Sequence, residues 1–317
     1  MQSYYLPSTA APSLNIAVRL NTLAQPKAVV LLLHGATLPS IIFDLPSAQG
    51  QLSMMAYLKM QGYATYSLDY RGYGDSSKPL EMDASAGSSP LITHKDAMQD
   101  VLDVMSFIKE RHPTLPIILC GFSWGSSISG YITTHFNWVN KLILLGPVYS
   151  YPNPQWQELA DPKNPTKLNP GIKGYRLAAR ERWCGLWERE LKMHDTFNWR
   201  DPQTLEQLLD YMENTDIAWA NRTNNKGYIR IPTGVLADAL RTYNQNPIYD
   251  ASKIQCPTLV LRGENDTASL SADVDGLMNT LICSKRRIDI ENATHYGILE
   301  KGAERFFKVM VNFIETA

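Results

Sequence analysis

Short apolar runs bounded by turn residues alternate with longer amphipathic stretches along most of the chain. Residues 28–33, 63–70, 115–120, 141–148 and 257–262 are brief enough, and apolar enough, to be strands buried on both faces, and residues 286–290 alternate. Residues 51–60, 126–135 and 269–281 are helix-like. Residues 94–111 place Met98, Val101, Leu102, Met105 and Ile108 on one helical face and stop before Pro113. The amphipathic run 298–314 predicts a closing helix over 303–314, with Phe306, Phe307, Met310 and Phe313 inward. Strand and helix in alternation predict an α/β fold: a mostly parallel central sheet with helices on both faces. Residues 15–23 read as an antiparallel edge strand.

The alternation breaks between residues 149 and 241. Proline and asparagine crowd 152–170, then 174–199 is helix-like but heavily aromatic, and 204–214 forms another helix-like stretch. Five of the seven tryptophans fall here: Trp156, Trp183, Trp187, Trp199 and Trp219. The expectation is an inserted helical cap over 149–241 between core segments 1–148 and 242–317. Such aromatics either grip an apolar substrate group, with Trp183 and Trp187 as candidate contacts, or build the insert's own core.

Candidate chemistry is concentrated at Gly121-Phe122-Ser123-Trp124-Gly125, between a predicted strand and a predicted helix. A serine presented at the top of a sharp strand-to-helix turn needs strained backbone and close neighbouring chain, and glycines two residues either side remove the Cβ atoms that would collide. Where such an elbow serves acyl transfer, an acid and a histidine follow it in the chain. Of six histidines His135, His194 and His295 do so, and His135 falls within the helix-like stretch 126–135 directly after the elbow. His194 lies in a polar stretch, whereas His295 sits in a loop after a strand. Asp266, in Gly263-Glu264-Asn265-Asp266, closes the strand 257–262 at its carboxyl end, where ligands collect in open α/β sheets. It is the expected acid, with Glu264 as second candidate and a helix N-cap as the other role open to Asp266. Two N–H donors are needed for a tetrahedral oxyanion: Trp124, after the serine, and Ala36, in the loop His34-Gly35-Ala36-Thr37. Thr37 and Tyr296, beside these groups, are candidate substrate contacts.

These pieces, together with Leu68-Asp69-Tyr70-Arg71-Gly72-Tyr73-Gly74-Asp75-Ser76, resemble the α/β-hydrolase-fold serine hydrolases, in the same order and over nearly the whole chain outside the insert. The resemblance implies a Ser123–Asp266–His295 triad and an oxyanion hole from the Ala36 and Trp124 amides. It also implies an Asp-x-Arg-Gly-x-Gly-x-Ser loop that buttresses the elbow. The elbow is similar to that of proline iminopeptidases, whose His-Gly-Gly-Pro-Gly oxyanion loop is replaced here by His34-Gly-Ala-Thr-Leu-Pro39. The expected activity is hydrolysis of a small or medium, largely apolar carboxylic ester through an acyl-enzyme. Lactones, thioesters, aminoacyl amides and carbon–carbon bonds are alternatives on the same triad, and a non-hydrolytic small-molecule receptor is the reading from another class. The serine at position 123 sets aside haloalkane dehalogenases and epoxide hydrolases of this fold, which use an aspartate there.

Composition narrows the partners. Thirty basic and 31 acidic residues are mixed evenly for a net charge of −1, so no basic stripe points to nucleic acid or an anionic membrane. Four widely spaced cysteines fit no metal motif, and neither a phosphate loop nor a dinucleotide fingerprint is present, so no metal and no cofactor is expected. The N-terminus shows no secretion signal and no apolar run could span a bilayer. The expectation is a cytoplasmic enzyme acting on a small acyl substrate, as a monomer or homodimer.

Overall fold

The computed structural model describes residues 2–84, 87 and 89–316; Met1 and Ala317, the outer limits of the expected core, lie outside the described residues. The chain opens with β1 (Gln2–Pro7), β2 (Asn15–Asn21), β3 (Val29–Leu33), α1 (Met54–Met60), β4 (Ala64–Leu68) and α2 (His94–Arg111). It continues through β5 (Ile117–Phe122), α3 (Trp124–His135) and β6 (Lys141–Leu145). The intervening residues form β7 (Ala160–Asp161), β8 (Asn164–Leu168), β9 (Tyr175–Ala179), α4 (Gly185–Met193), α5 (Pro202–Asn214), α6 (Ile217–Thr223), β10 (Tyr228–Pro232) and α7 (Gly234–Tyr243). The last elements are β11 (Thr258–Gly263), α8 (Ser271–Thr280), β12 (Lys285–Ile290) and α9 (Glu304–Glu315).

Eight strands make one sheet in the order β1-β2-β4-β3-β5-β6-β11-β12. From β4 to β12 every pairing is parallel, while β1 and β2 run antiparallel. Helices cover both faces, α1 packing with α9 and α2 with α3. That double cover explains the unbroken apolar runs: all of β3 and β5 is buried.

The chain passes from β3 to β4 on one side, then crosses back to β5 on the other side of β3. This reversal leaves a crevice at the carboxyl ends of β3 and β5, where such sheets bind ligands. Because β6 and β11 are neighbours, the whole stretch between them leaves and re-enters the sheet at one point.

Three local expectations change. The strand at 15–23 is not an edge: β2 is covered by β1, whose exposed, polar face gave no clear periodicity. Residues 174–199 begin as strand rather than helix, because β9 pairs antiparallel with β10, a contact invisible to local periodicity. Helix α7 runs past residue 241, the expected limit of the insert.

Candidate active site

The elbow is built by crowding. Ser123 has φ 55° and ψ −121°, a region costly for a residue with a side chain. A Cβ on Gly121 would lie 2.1 Å from the Gly125 carbonyl oxygen, and one on Gly125 would lie 2.3 Å from the Leu33 carbonyl oxygen. Both neighbours are backbone and cannot yield. The turn is pinned to the sheet by Ser123 N–H donating to Leu145 O at 2.8 Å. Ser123 precedes α3, yet its hydroxyl caps no helical N–H, so the oxygen is left for other use. Trp124 is the first helical residue, and its N–H has no carbonyl partner within α3.

The loop after β3 comes up against this turn. A Cβ on Gly35 would stand 3.0 Å from the Ser123 Cβ, so the glycine serves close approach rather than a left-handed turn. His34 is fully buried, with Nδ1 2.8 Å from Gly35 O and Nε2 accepting from Tyr70 N–H at 3.3 Å. Burial lowers its pKa to about 4, so the neutral ring braces the loop as a hydrogen-bonding spacer.

His295 follows β12, and its Nδ1 lies 2.7 Å from Asp266 Oδ2. The other Asp266 oxygen accepts from the Ala268 and Ser269 amides at 2.9 and 2.7 Å. The carboxylate thus shapes the turn after β11 and meets the imidazole, but it does not cap the following helix, whose N-cap is Leu270 with no side-chain cap. Glu264 is exposed and reaches instead toward the Asn292 amide. Burial disfavours the charged His295 ring, but the charge and hydrogen bond of Asp266, aided by the Glu190 charge, outweigh it and raise the His295 pKa.

Ala36, Thr37, Ser123, Trp124, His295 and Tyr296 all line one cavity of about 190 Å³. Its remaining wall is mainly apolar, with Trp156 and Leu186 from the insert and Val235, Leu236 and Ala239 from α7. Trp183 and Trp187 do not line it. Trp183 Nε1 donates to Ala178 O, and Trp187 Nε1 donates to Glu300 while its ring stacks 5.5 Å behind Tyr296. Both indoles are fully buried, Trp183 bonded within the insert and Trp187 packed against the His295 loop, so they are corrected from substrate contacts to core residues. Burial likewise pushes the Cys120 thiol, in β5, up to about 12.

The glycine-rich loop after β4 departs from its expected part. Arg71 Nε pairs with Asp100 of α2 at 2.6 Å rather than with the elbow. Asp69 accepts from the Ser40 and Asp75 amides, and Gly74, at φ +47°, leaves room for that carboxylate.

Two carboxylates escaped the sequence reading. Asp238 of α7 lines the cavity and accepts from Trp124 Nε1 at 2.9 Å and from the His94 amide at 3.0 Å, with His94 Nδ1 at 2.6 Å. Glu190 of α4 is fully buried behind His295. Burial, then the Asp266 charge, push its pKa up. Neither carries a local signal, since their partners lie 144 and 105 positions away. Among the described residues, no three His, Cys, Asp or Glu side chains cluster as metal ligands, and no helix is long and apolar enough to cross a membrane.

A serine on a strained strand-to-helix turn, at the switch point of such a sheet, defines an α/β-hydrolase. The chain belongs to the serine aminopeptidase, S33 family of hydrolases, whose pattern matches residues 24–302. Solved structures share the fold over nearly the full length. A hydrolase from Pseudomonas aeruginosa PA01 superposes with TM-score 0.64 at 15% identity, covering 99% of each chain. A thermophilic esterase from Thermogutta terrifontis gives 0.62 at 19% identity, covering 99% of this chain and 98% of its own. E-2-(acetamidomethylene)succinate hydrolase gives 0.64 at 15% identity, with 99% of each chain covered. At these identities the likeness is one of fold. No curated protein sequence matches the chain.

Proposed function

We propose that the protein is a serine hydrolase that cleaves a small or medium, largely apolar carboxylic ester through an acyl-enzyme. One observation carries this reading: Ser123, with a hydroxyl not spent on capping, shares a cavity with His295, whose far nitrogen is held by Asp266. In this mechanism His295 takes the proton as Ser123 Oγ attacks the carbonyl carbon. The Ala36 and Trp124 amides receive the oxyanion. The carbon–oxygen bond then breaks, with His295 returning the proton to the leaving alcohol. A water activated by the same imidazole releases the acid and restores the serine. Residues 149–241 serve as a cap, supplying Trp156 and Leu186 to the acyl pocket.

The family's name raises a second reading, an aminoacyl amide with a free amino group. Recognition of an ammonium needs a carboxylate with lone pairs free toward the pocket. Asp238 is the one carboxylate lining the cavity among the described residues, and both its oxygens are already engaged by His94 and Trp124. The apolar wall favours the ester.

The test is turnover of p-nitrophenyl esters from acetate to octanoate beside aminoacyl p-nitroanilides. Many equivalents of product per enzyme from the esters are expected. Release of about one equivalent or less from every substrate would contradict hydrolysis and favour a receptor.

A further inference from the structure

Helix α4 grips the His295 loop at two points on one face. Glu190 Oε1 accepts from Thr267 N–H at 2.6 Å and from Thr267 Oγ1 at 2.7 Å, while its Oε2 accepts from His295 N–H at 2.9 Å. Three residues earlier on the helix, Trp187 donates to Glu300 Oε1 at 3.0 Å. Glu300 in turn accepts from Thr294 N–H and Oγ1. Thr267 follows Asp266 directly, so one carboxylate joins the loop bearing the acid to the loop bearing the histidine.

We propose that Glu190 is a positioning residue for His295: its carboxylate holds the Asp266 and His295 loops together and sets a second negative charge behind the imidazole. The inference rests on the reading of His295 as the base that serves Ser123.

The hydrogen bonds favour the ionised form, against the burial and the Asp266 charge that push the Glu190 pKa up. Three donors face the Glu190 side chain, and its carboxylate is satisfied by them as an acceptor at both oxygens, the pattern of an ionised group. A glutamine would turn its NH₂ toward one of those N–H groups. A plain mechanical tie between the loops needs no charge, and a buried carboxylate is costly unless its partners offset the lost hydration. What the charge adds is field. With Asp266 bonded to the ring and Glu190 bonded to the backbone N–H of the same residue, an imidazolium at His295 feels two anions, and Arg262 opposes them. The other titratable or charged groups around this cluster are Tyr296 and Glu300 from the His295 loop, Cys184 ahead of α4, and Arg176 from β9. The Glu190 oxygen binds His295 through the backbone amide, leaving the ring free to work while fixing where it sits.

The pH dependence of Ser123 modification by a fluorophosphonate tests this. In that reaction Oγ bonds to phosphorus, fluoride leaves and His295 takes the proton, so the rate follows the unprotonated imidazole. In Glu190→Gln the acid limb of the rate profile is expected to move to lower pH by about half a unit or more, because the imidazolium loses a stabilising charge. The plateau falls as well. Glu190→Asp, with the charge retained but withdrawn by one methylene, should fall between wild type and Glu190→Gln.

A lowered plateau with an unmoved limb in Glu190→Gln would reduce Glu190 to a mechanical tie and overturn the inference. Should that variant fail to fold, a limb in Glu190→Asp that coincides with wild type would overturn it equally. Absence of Ser123 modification in wild type at every pH would instead overturn the hydrolase reading itself.

Discussion

The Nδ1 of His295 and the Oδ2 of Asp266 stand 2.7 Å apart, with both side chains out of solvent. The pairing holds the His295 pKa above its ordinary value of 6.5. A protonated imidazole cannot accept the Ser123 proton, so ester kcat/KM should rise with pH along an acid limb centred above 6.5. Asp266→Asn removes the larger of the two supporting charges and should move that limb downward. It should also lower kcat by about a thousandfold or more, since an amide does not enforce the productive tautomer. A limb at or below 6.5 in wild type would contradict this account of the site.

The same shift bears on stability. With its folded pKa raised, the proton on His295 contributes stability that is fully present below the unfolded pKa of 6.5 and is lost as pH rises through the folded value. The difference in unfolding free energy between wild type and His295→Gln should therefore shrink from pH 5.5 to pH 9. Urea titrations at the two pH values measure it.

Asp238 anchors the side chain of the residue whose amide is assigned to the oxyanion. Replacing it by alanine leaves the buried Trp124 indole N–H and the His94 amide without acceptors, at about 1–3 kcal/mol for each. Asp238→Ala should lower the melting temperature and kcat together, while Trp124→Phe, which removes one donor and leaves Asp238 bonded to His94, should be milder. Differential scanning calorimetry and initial rates decide the order.

Gly125 faces the Leu33 carbonyl at a distance no Cβ can occupy. Gly125→Ala should cost more than about 3 kcal/mol or abolish folding. Gly185, the first residue of α4, has nothing within 4 Å of its would-be Cβ. Gly185→Ala should be neutral or stabilising by up to about 1 kcal/mol. Chemical denaturation of the pair separates crowding from glycine content as the reason for the elbow's sequence.

The acyl wall is assigned to Trp156 and Leu186, not to the buried indoles. Leu186→Ala should shift the preferred p-nitrophenyl ester toward longer chains, whereas Trp183→Phe should change stability but leave the chain-length profile in place. A profile that follows Trp183 and ignores Leu186 would reverse that assignment.

Much of this was legible in the sequence where a short stretch holds its whole geometry. Residues 121–125 encode the turn, because each glycine answers a clash within or beside the turn itself. Strands β3, β5, β6 and β11 announce themselves as apolar runs, since helices bury both their faces. Asp266 stood out from its place at a strand end; its Oδ1 closes the turn after β11 and its Oδ2 meets His295, while the N-cap of the next helix falls at Leu270. What was hidden depends on long-range pairing. β9 is a strand only because β10 lies beside it, and its residues alone suggest helix. Glu190 and Asp238 are ordinary acidic residues on helices until the fold sets the elbow and the histidine loop against them. Tryptophan density alone did not separate Trp156, which lines the cavity, from Trp183 and Trp187, which are buried away from it, because that difference depends on how the stretch packs.

The most direct test is labelling of the folded protein with a fluorophosphonate, followed by tryptic mass spectrometry, on wild type and Ser123→Ala. The account predicts a single covalent adduct on the peptide bearing Ser123, and none in a Ser123→Ala variant that melts at the wild-type temperature. An adduct elsewhere that persists in Ser123→Ala, or undiminished ester turnover by that variant, would contradict it.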